Sequence, residues 1–264
     1  MDLYIDEAGA GVPVVLLHGL TATHRYVVMG SKALERSGHR VVAYDARGHG
    51  RSEPAADPGA YGYDELAADL GRVMDERGIE RAVLAGASMG AHTLLRFALE
   101  HPDRAAGLVV VTPAYDPVAF ERGTGMERWD ALAAGLRERG VEGFVAAYGD
   151  PGVPDAWRDT VLTVIRQRLS AHAHPDAVAD ALQAVPRSRP FGTLHDLEAI
   201  AVPTVVVADR DEADPGHPLS VGEDYARVIP GARLVVEEAG TSPIAWQGSQ
   251  LSKVIAEVAA EAEL

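Results

Sequence analysis

A mostly parallel α/β sheet flanked by helices and interrupted by a helical insertion is what this 264-residue sequence predicts. Three observations predict it. Six short apolar, β-branched runs recur along the chain, too continuous for strands with one wet face. Segments with a helical apolar period lie between most of them, and strand–helix alternation builds a doubly wound sheet. The stretch 113–190 breaks that rhythm, with helical patterns and no comparable strand.

Taken in order, "VPVVLLHG" is the first strand-like run and ends at His18-Gly19, and "HRVVAYD" ends at Asp45. The helix "DELAADLGRVMDERG" then sets Leu66, Leu70, Val73 and Met74 on one face. "RAVLAGAS" ends at Ser88, and "MGAHTLLRFALEHP" starts a helix at once and stops before Pro102. "AAGLVVVT" ends at Thr112. Three helical patterns follow, "MERWDALAAGLRERG", "DAWRDTVLTVIRQRLSAHA" and "PDAVADALQAV", joined by Gly/Pro turns. The reading is therefore a core of 1–112 and 191–264 with a helical cap at 113–190. "VPTVVVAD", "LSVGEDYARVIPG", "ARLVVEE" and "SQLSKVIAEVAAEAEL" complete the core. No internal repeat or low-complexity tract is present.

Composition excludes several function classes. The net charge of −15 repels phosphate backbones and anionic lipid surfaces at long range, so neither nucleic acid nor membrane is an expected partner. The longest apolar runs are too short to cross a bilayer, and "MDLYIDEAGAG", with no basic stretch followed by an apolar run, is not expected to be a signal peptide. With no cysteine, disulfides, thiolate catalysis and thiolate-bound metals are excluded, and a cytoplasmic location is expected. No histidine pair has ligand-like spacing with a carboxylate, and no phosphate-binding glycine loop is present, so no metal and no cofactor is expected.

The sharpest local signal is "GASMG", Gly86 to Gly90, which matches G-x-S-x-G between a strand and a helix. Small residues two before and two after the serine let the chain turn tightly and push the Ser88 hydroxyl outward. The helix behind it presents free N–H groups to developing negative charge. "LLHGL" ends the earlier strand where an oxyanion loop belongs, so the expected donors are the backbone N–H groups of Met89 and Leu20.

Together "HGL", "DARGHGRS", "GASMG" and "ADRDEADP", in that order, make the chain resemble the α/β-hydrolase fold, of the capped esterase, thioesterase and acyltransferase-like kind. The resemblance spans almost the whole length. It implies a Ser–His–acid triad, with Asp211 as the acid, Asp209 as runner-up, and Asp45, Arg47 and His49 in a structural turn. The family places histidine after the last strand in a pattern like G-H-S-P. This chain reads "AGTSP", so Gly240, Ser242 and Pro243 match and Thr241 stands where the base is expected.

A threonine cannot activate water as imidazole does. The leading expectation is therefore a serine-dependent acyltransferase, with a long-lived acyl-Ser88 passed from an activated ester or thioester to a second substrate. The alternatives are an ester or thioester hydrolase with a relocated base, and a non-catalytic small-molecule-binding protein. For a relocated base, His217 on the acid loop comes first, followed by His24 and His92. His172, His174 and His195 belong to or border the cap. Trp129, Phe144, Tyr148 and Trp157 are candidates to line an acyl pocket. Nine cap arginines, from Arg122 to Arg189, raise the further expectation of an acidic acyl-carrier-type protein docking there.

Overall fold

The computed structural model describes residues 1–123, 125–241, 246 and 248–264. Its centre is a seven-stranded sheet: β1 (Ile5–Gly9), β2 (Val12–Leu17), β3 (His39–Tyr44), β4 (Ala82–Ala87), β5 (Ala105–Val111), β6 (Thr204–Ala208) and β7 (Arg233–Val236). The order across the sheet is β1-β3-β2-β4-β5-β6-β7. All neighbours are parallel except β1, which pairs antiparallel with β3, Ile5 opposite Tyr44. The six sequence runs correspond to β2–β7. Strand β1, "IDEAG", escapes a search for apolar runs because it is a mostly polar edge strand.

The helices are α1 (Ala33–Arg36), α2 (Tyr63–Glu76), α3 (Met89–Glu100), α4 (Pro117–Glu121), α5 (Met126–Tyr148), α6 (Asp155–Leu169), α7 (Pro175–Ala184), α8 (Leu219–Val228) and α9 (Gly248–Glu261). Helices α4–α7 all lie between β5 and β6. Helix α5 runs past its expected end and is broken at Arg139–Gly140. Neither α1 nor α4 is long enough to show a helical period in the sequence.

Side chains alternate across the sheet, so each apolar run feeds two cores. Val15, Leu17, Leu84, Leu108 and Val110 meet α2, α3 and α8 on one face. Val14, Leu16, Val83, Val109 and Val205 meet α1 and α9 on the other. Burying each such side chain contributes about 1.5–3 kcal/mol. A third cluster joins α5 and α7 to Leu20, Tyr63, Leu66 and Met89. The inserted helices therefore rest on the oxyanion-loop and elbow end of the sheet. Among the described residues, no helix is long and apolar enough to cross a membrane.

Candidate active site

Ser88 sits between β4 and α3 with φ 51° and ψ −111°. A non-glycine residue there is strained by roughly 1–3 kcal/mol, and close packing holds it. A Cβ at Gly90 would stand 2.2 Å from the Leu17 carbonyl oxygen, and one at Gly86 would stand 2.4 Å from the Gly90 backbone. Only glycine permits these approaches. The turn aims the Ser88 hydroxyl away from the sheet while α3 starts behind it.

The side chain that meets this hydroxyl is His217. Its Nε2 lies 2.9 Å from Ser88 Oγ and accepts the serine proton, and its Nδ1 donates to Asp214 Oδ2 at 2.7 Å. Asp214 and His217 occupy the ends of one β-turn after β6, closed by the His217 N–H to Asp214 O, with Pro215 inside it. The Gly216 N–H also reaches Asp214 Oδ1 at 3.2 Å. The turn brings side chains three residues apart onto one side.

Burial alone would push His217 down. The charge of Asp214, its hydrogen bond and the charge of Asp209 outweigh that, and the imidazole is raised above its ordinary value. Asp214 is lowered, because the charge and hydrogen bond of His217, with Gly216 and Arg168, overcome its desolvation. Their side chains keep 26% and 30% of their surface exposed, so water tempers the coupling. Asp209, at the end of β6, is pushed up to about 7 by burial, with Asp214 and Glu237 adding like charge.

Asp211 does not hold the base. Its carboxylate accepts the Leu219 N–H at 2.8 Å, at the start of α8, and it is otherwise exposed. The carboxylate beside His217 is Asp214, three residues further on. The expectation for Asp211 followed the family's count along the loop, whereas the turn at Asp214 decides which carboxylate faces inward. The "DPGH" run itself was the readable sign, with aspartate and histidine at opposite ends of a Pro-Gly turn.

Thr241 does not face Ser88 through any hydrogen bond. Its N–H and its hydroxyl both donate to Glu238 O, closing a turn after β7. That turn is tied to the acid loop by the Gly240 N–H to Glu212 Oε1. Ser242 and Pro243, the rest of the "GTSP" match, lie outside the described residues.

The other candidate bases are engaged elsewhere. His24 uses Nδ1 and its backbone N–H on Asp45 Oδ1, both at 2.8 Å. His92 Nε2 accepts the Ala114 and Tyr115 N–H groups and its Nδ1 faces the Tyr63 hydroxyl. Burial pushes it down to about 3, so it stays neutral. His195 pairs with Glu198 on the surface, and His174 precedes α7.

The loop after β2, where the oxyanion donor Leu20 was expected, is braced by histidines. His18 Nε2 accepts the Ala46 N–H, which leaves Nδ1 to donate to Gly19 O at 2.8 Å. The Gly19 carbonyl shares a peptide plane with the Leu20 N–H, so His18 orients that donor. Desolvation, with His49 adding to it, lowers His18 to about 3 and keeps it neutral. His49 Nε2 faces Leu20 O at 2.7 Å. From the insertion, His172 Nδ1 accepts the Gly50 N–H at 2.8 Å, and its Nε2 reaches Thr21 O at 3.2 Å. Arg47 binds Asp69 through two nitrogens, which fixes the turn below. No hydrogen bond of the described residues occupies the N–H of Leu20 or of Met89.

Phe144 is buried and stacks on Tyr148, and Trp129 and Trp157 are half-buried. Five of the nine cap arginines, Arg137, Arg158, Arg166, Arg187 and Arg189, are ion-paired with carboxylates of the chain itself. Among the described residues, no group of three or more histidines and carboxylates is placed to hold a metal ion.

A family model described as the α/β-hydrolase fold matches residues 12–246. RutD of Variovorax paradoxus, provisionally named a carbamate hydrolase, is 33% identical over 81% of this chain and 79% of its own. The non-heme chloroperoxidase CPO-A1 of Kitasatospora aureofaciens is 28% identical over 93% of this chain and 90% of its own. Among solved structures, a thermophilic esterase from Thermogutta terrifontis superposes with a TM-score of 0.77 at 27% identity, covering 97% of this chain and 92% of that one.

Proposed function

The chain belongs to the α/β-hydrolase fold family, and from that premise we propose that it is an esterase-type serine hydrolase, cleaving small carboxylic esters or lactones through an acyl-Ser88 intermediate. One observation carries the reading: the 2.9 Å contact between His217 Nε2 and Ser88 Oγ, backed by Asp214. That distance is within proton-transfer reach. The likeness to the Thermogutta terrifontis esterase supports an ester substrate.

In this reading Ser88 Oγ attacks the carbonyl carbon as its proton passes to His217 Nε2. The tetrahedral oxyanion takes the N–H groups of Leu20 and Met89. His217 then gives the proton to the leaving oxygen, and the carbon–oxygen bond breaks. A water, deprotonated by the same nitrogen, attacks acyl-Ser88 and releases the acid. Asp214 keeps Nδ1 protonated and balances the imidazolium that forms.

Acyl transfer was the expectation because Thr241 left the site without a group to activate water. With His217 beside Ser88, that reason for preferring transfer over hydrolysis is gone. The test is labelling by a fluorophosphonate probe together with turnover of 4-nitrophenyl acetate. Labelling and turnover that vanish in Ser88→Ala and collapse in His217→Ala support the proposal. An unlabelled Ser88 in a folded, inactive protein overturns it.

A further inference from the structure

Arg168 lies one residue before the end of α6, in the insertion that covers the elbow end of the sheet. Among the cap arginines it is the exception. Arg122, Arg128 and Arg139 also lack carboxylate partners among the described residues, but they are exposed to water. Arg168 is half-buried, and its Nε is buried with no hydrogen-bond partner among the described residues. Among the described residues its guanidinium makes no hydrogen bond and no ion pair. It lies over the ring of Tyr26, whose centroid is 5.3 Å from Cζ. Tyr26 follows the oxyanion loop directly.

The guanidinium also stands within electrostatic reach of the catalytic pair. Its charge adds to the lowering of Asp214 and works against the raising of His217, and Tyr148 lies in the same field. Asp214, the nearby acid, is already committed to His217 and to the Gly216 N–H. A chain with 39 acidic residues has therefore left Arg168, sheltered and within the field of the reacting groups, without a carboxylate partner among the described residues. Sheltered charges in proteins are ordinarily paired. The guanidinium lies over the Tyr26 ring, and no hydrogen bond of the described residues takes its N–H donors, a fork suited to two parallel bonds to a carboxylate.

We propose that Arg168 is a substrate-recognition residue, and that the preferred substrates are esters or lactones carrying a free carboxylate on the acyl side. The inference rests on the hydrolase reading of the same site. The arginine binds the carboxylate while Ser88 attacks the ester carbonyl. Arg168 then acts on binding more than on bond cleavage, because its contact is present before and during attack.

A matched pair of substrates tests this: 4-nitrophenyl monosuccinate and its neutral isostere, 4-nitrophenyl succinamate. The wild-type protein is expected to favour the monosuccinate in kcat/KM by tenfold or more. Arg168→Met, which keeps the apolar volume on Tyr26, removes that preference mainly through KM and leaves the succinamate rate within about threefold. Arg168→Lys keeps charge without the planar fork and falls between. Equal use of the two esters by the wild type overturns the proposal. So does an equal loss on both esters in Arg168→Met, which assigns Arg168 to holding Asp214. A binding arm separates this inference from the hydrolase reading. Succinate titrated into Ser88→Ala should bind, and binding should be lost in Ser88→Ala/Arg168→Met even in a protein that turns over neither ester. No binding to Ser88→Ala overturns the inference alone.

Discussion

Two loops leave the carboxyl end of the sheet side by side, one after β6 and one after β7, and they invite opposite readings. The loop after β7 matches the familiar G-x-S-P frame in sequence but carries a threonine that turns back on Glu238. The loop after β6 is where the family places only the acid, yet its Asp214–His217 turn reaches Ser88. In this structure the imidazole beside Ser88 and the carboxylate beside that imidazole come from one four-residue turn, rather than from two loops. The difference teaches that a triad is defined by which nitrogen arrives at the nucleophile. The strand that delivers it is secondary.

The comparison breaks most decisively at His217. His217→Ala should lower kcat/KM for a nitrophenyl ester by about 10³-fold or more, with Thr241→Ala within twofold. The reverse ranking would return the base to the β7 loop. Next comes the choice of acid. Asp214→Asn removes the charge that balances the imidazolium and should cost on the order of 10²–10⁴ in kcat, whereas Asp211→Asn should leave kcat nearly intact.

The pH profile sharpens the same point. Because Asp214 raises His217, and the base must be neutral to take the serine proton, the acid limb of kcat/KM should lie above the ordinary histidine value of 6.5. In Asp214→Asn that limb should move to lower pH; an unmoved limb assigns it to another group. Stability runs the other way for His217. Its raised value gives stability that is present below the unfolded pKa and is lost as pH rises through the folded one. The lowered Asp214 gives stability that is present above its unfolded pKa and is lost as pH falls through its folded value. The pair therefore favours the folded state between its two folded values, while activity grows toward the upper edge.

Smaller effects complete the series. Asp211→Ala frees the Leu219 N–H at the start of α8 and should cost roughly 0.5–1 kcal/mol of stability, read as a lower melting temperature at unchanged activity. Thr241→His should change turnover by less than twofold, since the nucleophile already has its imidazole. A large gain would mean that the β7 loop competes for Ser88.

Much of this was legible in the chain. The strands β2–β7 were readable because both of their faces are buried, and the elbow because Gly86, Ser88 and Gly90 leave the backbone no other compact turn. Strand β1 was not, since an edge strand needs no apolar run. Asp211 was misplaced because counting along a loop carries no information about its turns. His217 was named first among the candidate bases for its place on the acid loop, but a place in the sequence cannot show that its imidazole comes within 2.9 Å of Ser88.

By itself, then, the sequence determined the sheet, the insertion and the serine turn, all of which follow from steric and burial rules acting over a few residues. Which imidazole meets Ser88 was decided only by the tertiary structure. Residues 129 positions apart touch there, and the register of that contact depends on where β6 ends, how the Asp214 turn closes and how α8 packs. The same holds for Arg168. Its identity is written in the chain, but that it stands sheltered, over the Tyr26 ring and without a carboxylate partner among the described residues is a property of the assembled fold.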